Sequence, residues 1–79
     1  MNDLLQNMDK IHTTPMGIDR IKKNLKLGEI DVVKYCKEFL NDTKTCITRQ
    51  GKNWYAKKDN IVFTINAYSY TIITAHIGK

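Results

Sequence analysis

Apolar residues change their spacing once along this chain, near residue 44, and that change predicts the fold class. Before it, Leu4, Leu5, Met8 and Ile11 recur at helical steps, which predicts a first helix opened by Asn2 or Asp3 and ending near His12. Thr14-Pro15 opens the next: the hydroxyl can accept from free amides, and proline at the first helical position gives up an N–H that has no partner there. Ile18, Ile21 and Leu25 form its core stripe, Arg20, Lys22, Lys23 and Lys26 occupy the rest of its circumference, and Leu27-Gly28 reads as its stop. Asp31 then caps a third helix over 32–40, whose Val32, Val33, Cys36, Phe39 and Leu40 make a stripe broad enough to lie on a sheet.

From Thr45 the chain turns to Ile, Val, Thr, Tyr, Trp and Phe in short runs, separated by Gln50-Gly51-Lys52-Asn53 and Lys58-Asp59-Asn60. Strands are predicted over 45–49, 54–57, 61–66 and 70–77, with a turn at 67–69. Strict alternation in the last run assigns Thr71, Ile73, Ala75 and Ile77 to the core and Tyr70, Ile72, Thr74 and His76 to the open face. In the second run Trp54 and Ala56 point inward, Tyr55 and Lys57 outward. The reading is α+β: three N-terminal helices packed on one face of a four-stranded antiparallel β-meander, a single domain over 1–79 with a helical half (1–44) and a β half (45–79).

Composition adds bounds. A length of 79 residues leaves no room for a second core, and 42% hydrophobic with 27% charged residues marks a folding chain rather than a disordered one. The longest apolar run, Ile61-Val62-Phe63, falls far short of the ~20 residues of a membrane span. The acidic start lacks the basic and apolar regions of an export signal, so a soluble cytoplasmic protein is expected. On that compartment argument Cys36 and Cys46 are expected as reduced, half-buried thiols, the alternative being one disulfide in a secreted mini-protein. Lys and Arg number 13 against 8 Asp and Glu, and the net charge of +5 favours anionic partners.

Candidate chemistry starts from His12 and His76, the only histidines. Two imidazoles flanking a phosphate can act as base and acid near neutrality without a metal; alternatively His12 is a helix end favoured by the macrodipole and His76 a solvated strand end. Arg20 could grip a phosphate through two parallel bonds, or pair with Asp31 or Glu29. Lys22, Lys23 and Lys26, with Lys52, Lys57 and Lys58, could track a phosphate backbone or serve as a solubilising coat. Tyr55, Tyr68 and Tyr70 offer rings for base stacking, while Trp54 reads as core. In a cleavage reading His76 and His12 are acid and base, Arg20 and Lys52 stabilise developing charge, and Thr74 orients His76. Thr13, Lys23, Tyr55, Lys57, Tyr68 and Tyr70 then contact the ligand. The chain has no glycine-rich phosphate loop, zinc-ligand spacing, nucleophile elbow or carboxylate pair, so neither cofactor nor metal is expected.

The blocks Ile11-His12-Thr13-Thr14, Gly17, Arg20-Ile21, Asn24-Leu25, Gly51-Lys52-Asn53-Trp54-Tyr55 and Asn66-Ala67-Tyr68-Ser69-Tyr70-Thr71-Ile72-Ile73-Thr74-Ala75-His76 resemble a family of small bacterial proteins described only as a domain of unknown function. The resemblance spans most of the chain and implies no activity. In architecture, helices followed by a four-stranded antiparallel sheet, with Thr and His near the end of the last strand, are similar to the barnase/EndoU/colicin/RelE group of metal-independent ribonucleases. That likeness implies RNA cleavage, although several of those proteins carry more arginine on the sheet than the single Arg49 here. The function expected is binding of RNA or another polyanion on the open sheet face, extending to metal-independent cleavage. The alternative is a non-enzymatic inhibitor or adaptor that meets an acidic protein partner. Gly78-Lys79 could end an edge strand, and the sequence fixes no oligomeric state.

Overall fold

The switch in periodicity separates helices from strands: α1 (Asp3–Gln6), α2 (Pro15–Leu25) and α3 (Val32–Asn41) precede β1 (Cys46–Gln50), β2 (Asn53–Lys58), β3 (Ile61–Asn66) and β4 (Ile72–Ile77). The computed structural model describes residues 3–28 and 30–77. The Asn2 cap, a pairing of Arg20 with Glu29 and the Gly78-Lys79 strand end lie outside the described residues. The strands form one 4-stranded antiparallel sheet in the order β1-β2-β3-β4. Asp59 and Asn60, at φ 50° and 69°, supply the left-handed pair of a tight β2–β3 turn, and Gly51 at φ 58° opens the β1–β2 turn.

The first helix is shorter than its apolar spacing predicts. After α1 comes a 3-10 turn (Met8–Lys10), and Ile11 is already extended at φ −67°, ψ 131°. The cause lies in β4. His12 N–H donates to the Tyr70 carbonyl at 3.2 Å and its own carbonyl accepts from Ile72 N–H at 2.7 Å, forming an isolated parallel bridge to Thr71. Two long-range backbone bonds outweigh one more turn of a helix this short.

α2 begins as predicted, with Thr14 Oγ1 accepting from Gly17 N–H at 3.0 Å and Pro15 in the first turn. It stops differently. Lys26, not Gly28, takes the left-handed cap at φ 58°, and Leu27 N–H closes the end on the Lys22 carbonyl at 2.9 Å. The helix runs beside β4, where Thr13 Oγ1 donates to the Ile72 carbonyl and Asn24 Nδ2 to the Ala75 carbonyl, both at 3.0 Å. These contacts satisfy the outward Ile72 and Ala75 carbonyls, and the His12 bridge takes up the Ile72 amide, so the edge strand has fewer free groups with which to recruit another strand. Close approach requires Gly17: a Cβ there would collide with Thr13 Oγ1 and lie 3.2 Å from Thr14 Oγ1.

α3 is capped by Asp31, whose carboxylate accepts from Lys34 N–H at 3.1 Å. Its Phe39 meets Phe63 of β3 edge-on at 4.9 Å, with Tyr35 at 6.0 Å. Leu4, Ile21, Leu40, Phe63, Ile65 and Ile72 are fully buried at the centre of the core.

The last strand corrects the alternation. Ile72 is buried at 1% exposure and Ile73 stands out at 38%, the reverse of the expected faces. Thr64 faces Thr74 while Ile65 faces Ile72, so Ile73 is an extra residue, a β-bulge that inverts the parity of everything before it. Thr71 is accordingly only half-buried, and Ile77, at the strand's end, is exposed although its parity is right. β4 starts at Ile72 rather than Tyr70 because Tyr70 adopts φ 60°, a conformation no strand contains. Both cysteines are free thiols, but unequal: Cys36 is buried and Cys46 exposed. Burial pushes the Cys36 thiol up to about 12, which leaves it protonated and unreactive.

Candidate functional site

Three segments distant in sequence meet at one end of the sheet: the 10–13 stretch, the β1–β2 turn and the β3–β4 turn. Ala67 N–H donates to the Lys52 carbonyl at 2.7 Å and joins the two turns, while the His12 bridge brings in the third segment. Asn66 organises the β3–β4 turn. Its Oδ1 accepts from the N–H groups of Tyr68 and Ser69 at 2.9 Å, and its carbonyl from Tyr70 N–H at 2.9 Å. The turn lifts Tyr68 into solvent at 72% exposure. Tyr70, a bulky residue held at positive φ, stores strain beside it.

Cations and rings alternate across this end. Lys10 Nζ lies 5.6 Å from the Tyr70 ring centre, Tyr70 lies 5.4 Å from Trp54, and the Arg49 guanidinium lies 5.5 Å from Trp54 and 5.6 Å from Tyr68. Arg49 faces Trp54 across the β1–β2 pair and is steadied by Nε donating to the Gly51 carbonyl at 2.9 Å. Trp54, at 5% exposure, is the buried floor under the more exposed tyrosines.

His12 borders this ribbon. Its Nδ1 is 2.9 Å from the Lys10 carbonyl, and because a carbonyl only accepts, Nδ1 carries a proton. Nε2 is 3.0 Å from Thr71 Oγ1, which is 2.8 Å from Ser69 Oγ, itself 3.2 Å from Asn66 Oδ1.

Of the residues expected to form a site, His12, Thr13, Lys52, Tyr68 and Tyr70 belong to these three segments. Thr13 spends its hydroxyl on the Ile72 carbonyl, so it positions β4. Tyr55, Lys57, Thr74 and His76 belong to the other sheet face, in cross-strand rows with Thr48 and Thr64 and with Cys46 and Val62. Arg20 and Lys23 are exposed on α2, and among the described residues neither has an ion-pair partner, Asp31 included. His12 sits beside Thr71 and His76 five residues further along β4, about 15 Å of strand away. Two imidazoles so separated do not flank one phosphate, and the acid-base pairing expected of them is not met.

Lys10, Arg49, Ser69 and Thr71 escaped the sequence reading as site residues. Arg49 had a signal, since a tight turn at Gly51-Lys52 pairs it with Trp54. Lys10 had none, because its place depends on the first helix breaking early.

Two shallow grooves border α3 instead. One of about 370 Å³ is lined by Ile30, Asp31, Lys34, Tyr35 and Glu38, and one of about 300 Å³ by Tyr35, Glu38, Phe39, Asp42 and Lys58. None of the expected acid, base or ligand-contacting residues lines either, and of the lysines expected to track a phosphate backbone Lys58 lines the second. Within the second, Lys58 Nζ donates to Asp42 at 2.8 Å and lies 4.9 Å from the Phe39 ring centre, fastening the end of α3 to the β2–β3 hairpin. The bond from Lys58, and then that from Lys44 N–H, hold the Asp42 carboxyl below its ordinary 3.8, and the same ion pair raises Lys58. Among the described residues no cluster of His, Cys, Asp and Glu could hold a metal, and no helix is long and apolar enough to cross a membrane.

The family described as "Protein of unknown function (DUF3781)" matches residues 5–76. No curated protein and no solved structure matches the chain.

Proposed function

We propose, for a chain that belongs to the DUF3781 family of proteins of unknown function, that it binds single-stranded RNA at the end of the sheet where its three segments meet. The observation that carries this reading is the alternation of Lys10, Tyr70, Trp54, Arg49 and Tyr68. Rings offer faces to unpaired bases whatever their sequence, and cations spaced between them meet the phosphates. Strain at Tyr70 and the exposure of Tyr68 fit a surface shaped for a ligand rather than for the core. We read the helices as gathered against the face that carries Trp54, Ala56 and Phe63, a reading supported by the contacts of Tyr35 and Phe39 with Phe63. The opposite face, with Tyr55, Lys57, Thr74 and His76, extends the surface but adds little charge. The reading is of binding; cleavage would need an acid beside His12 that His76 does not supply.

The test is fluorescence anisotropy with a labelled single-stranded RNA at several salt concentrations. Three cations, Lys10, Arg49 and Lys52, give an expected log-log salt slope of about −2. Tyr68→Ala should weaken binding by about 1–3 kcal/mol, the usual worth of one stacked base, with an unchanged fold. An acidic protein partner would use the same cations without the rings, so equal loss for Arg49→Gln and none for Tyr68→Ala would favour that second reading. Absence of binding at low salt would end the proposal.

A further inference from the structure

We propose that His12 is a proton-operated contact in this end of the sheet: its imidazolium form aligns the hydroxyls of Thr71 and Ser69 toward Asn66, tightens the turn that carries Tyr68, and presents a cation that a phosphodiester ligand selects. The ligand half of this rests on the RNA-binding reading above; the coupling of His12 to the turn does not.

Counting protons along the chain gives the direction. In the neutral ring Nδ1–H is committed to the Lys10 carbonyl, so Nε2 is an acceptor and takes the Thr71 hydroxyl proton. Ser69 then has one proton for two acceptors, Thr71 Oγ1 at 2.8 Å and Asn66 Oδ1 at 3.2 Å, and one of these contacts goes unserved. In the imidazolium, Nε2–H donates to Thr71, Thr71 to Ser69, and Ser69 to Asn66. Every contact now holds a proton. The chain ends on the same Asn66 oxygen that accepts from Tyr68 N–H and Ser69 N–H, so the charge on His12 is felt by the backbone under Tyr68.

The surroundings allow the charge. From its own segment His12 faces Lys10, whose ammonium is turned over Tyr70, and Asp9 lies one residue further back. The turn over 66–71 contributes Tyr68 and Tyr70 and no formal charge, and the β1–β2 turn joined to it brings Lys52 and Arg49, whose guanidinium is turned over Trp54 and Tyr68. β4 brings no charge before His76, and the first turn of α2 none before Asp19 and Arg20. The ring is exposed, so an incoming phosphate can reach it. A ligand that prefers the charged form must, by linkage, draw a proton onto it.

The experiment has two arms on the full chain. In the first, without ligand, NMR follows the His12 ring and the amides of Tyr68 and Ser69 from about pH 8 to about pH 5, where imidazoles change charge. The amides should move with the midpoint of His12, lose that response in Thr71→Val while His12 still titrates, and regain it in Thr71→Ser. Amides indifferent to His12, or following His76 instead, would overturn the coupling. In the second arm, RNA affinity should rise roughly threefold across the same range in the parent and stay level in His12→Gln. RNA binding without pH dependence would overturn the proton uptake and leave the RNA site standing. No RNA binding beside a positive first arm would overturn the RNA reading and the proton uptake with it, and leave the coupling intact.

Discussion

Asp42 accepts from Lys58 Nζ and from Lys44 N–H, and both bonds favour its ionised form. Its value in the fold lies below the ordinary one, so the stability it contributes is present at neutral pH and is lost as pH falls through that lowered value. Lys58 runs the other way: raised by the same pair, it contributes below the ordinary lysine range and loses that contribution as pH rises through its raised value. Asp42→Asn keeps the shape and removes the charge. Thermal melts should place the variant below the parent near pH 7 and bring the two together by about pH 2. Curves that stay parallel across that range would remove the pair from the stability of the fold. Residue-level legibility was uneven for a physical reason. Trp54 in the core and Gly51 in a turn follow from local chemistry, whereas the burial of Cys36 against the exposure of Cys46 depends on which faces pack.

Among the elements, each departure from the apolar pattern has a long-range cause. Helical spacing over 4–11 was legible, but the pairing of His12 with Tyr70 and Ile72 was not, and it ends the first helix early. Ile72 and Ile73 are equally apolar, so nothing local marks which of them the bulge turns outward. The α2 cap is a third case: Gly28 advertises a stop, yet Lys26 occupies the left-handed position, where a side chain is strained. Lys26→Gly should therefore stabilise the protein by about 1 kcal/mol, seen as a higher midpoint in urea with an unchanged slope. A lower midpoint would mean that the lysine stem contributes packing the cap geometry does not account for.

Over the whole molecule, the α+β order of elements and the meander were legible because a period of three to four and a period of two are hard to confuse over these lengths. The site was legible only in part. His12, Lys52, Tyr68 and Tyr70 carry chemistry that composition can flag, but their assembly with Lys10 and Arg49 needs three segments folded together, and the same folding sets His76 apart. The most direct measurement of the RNA-binding reading is an amide chemical-shift map of the labelled protein with a short single-stranded RNA at low salt. The predicted result is a continuous footprint on 10–13, 49–54 and 67–71, fading as salt rises. Shifts concentrated on the α3 groove around Tyr35 and Glu38, or on the sheet face of Lys57 and His76, or no shifts at all, would contradict it.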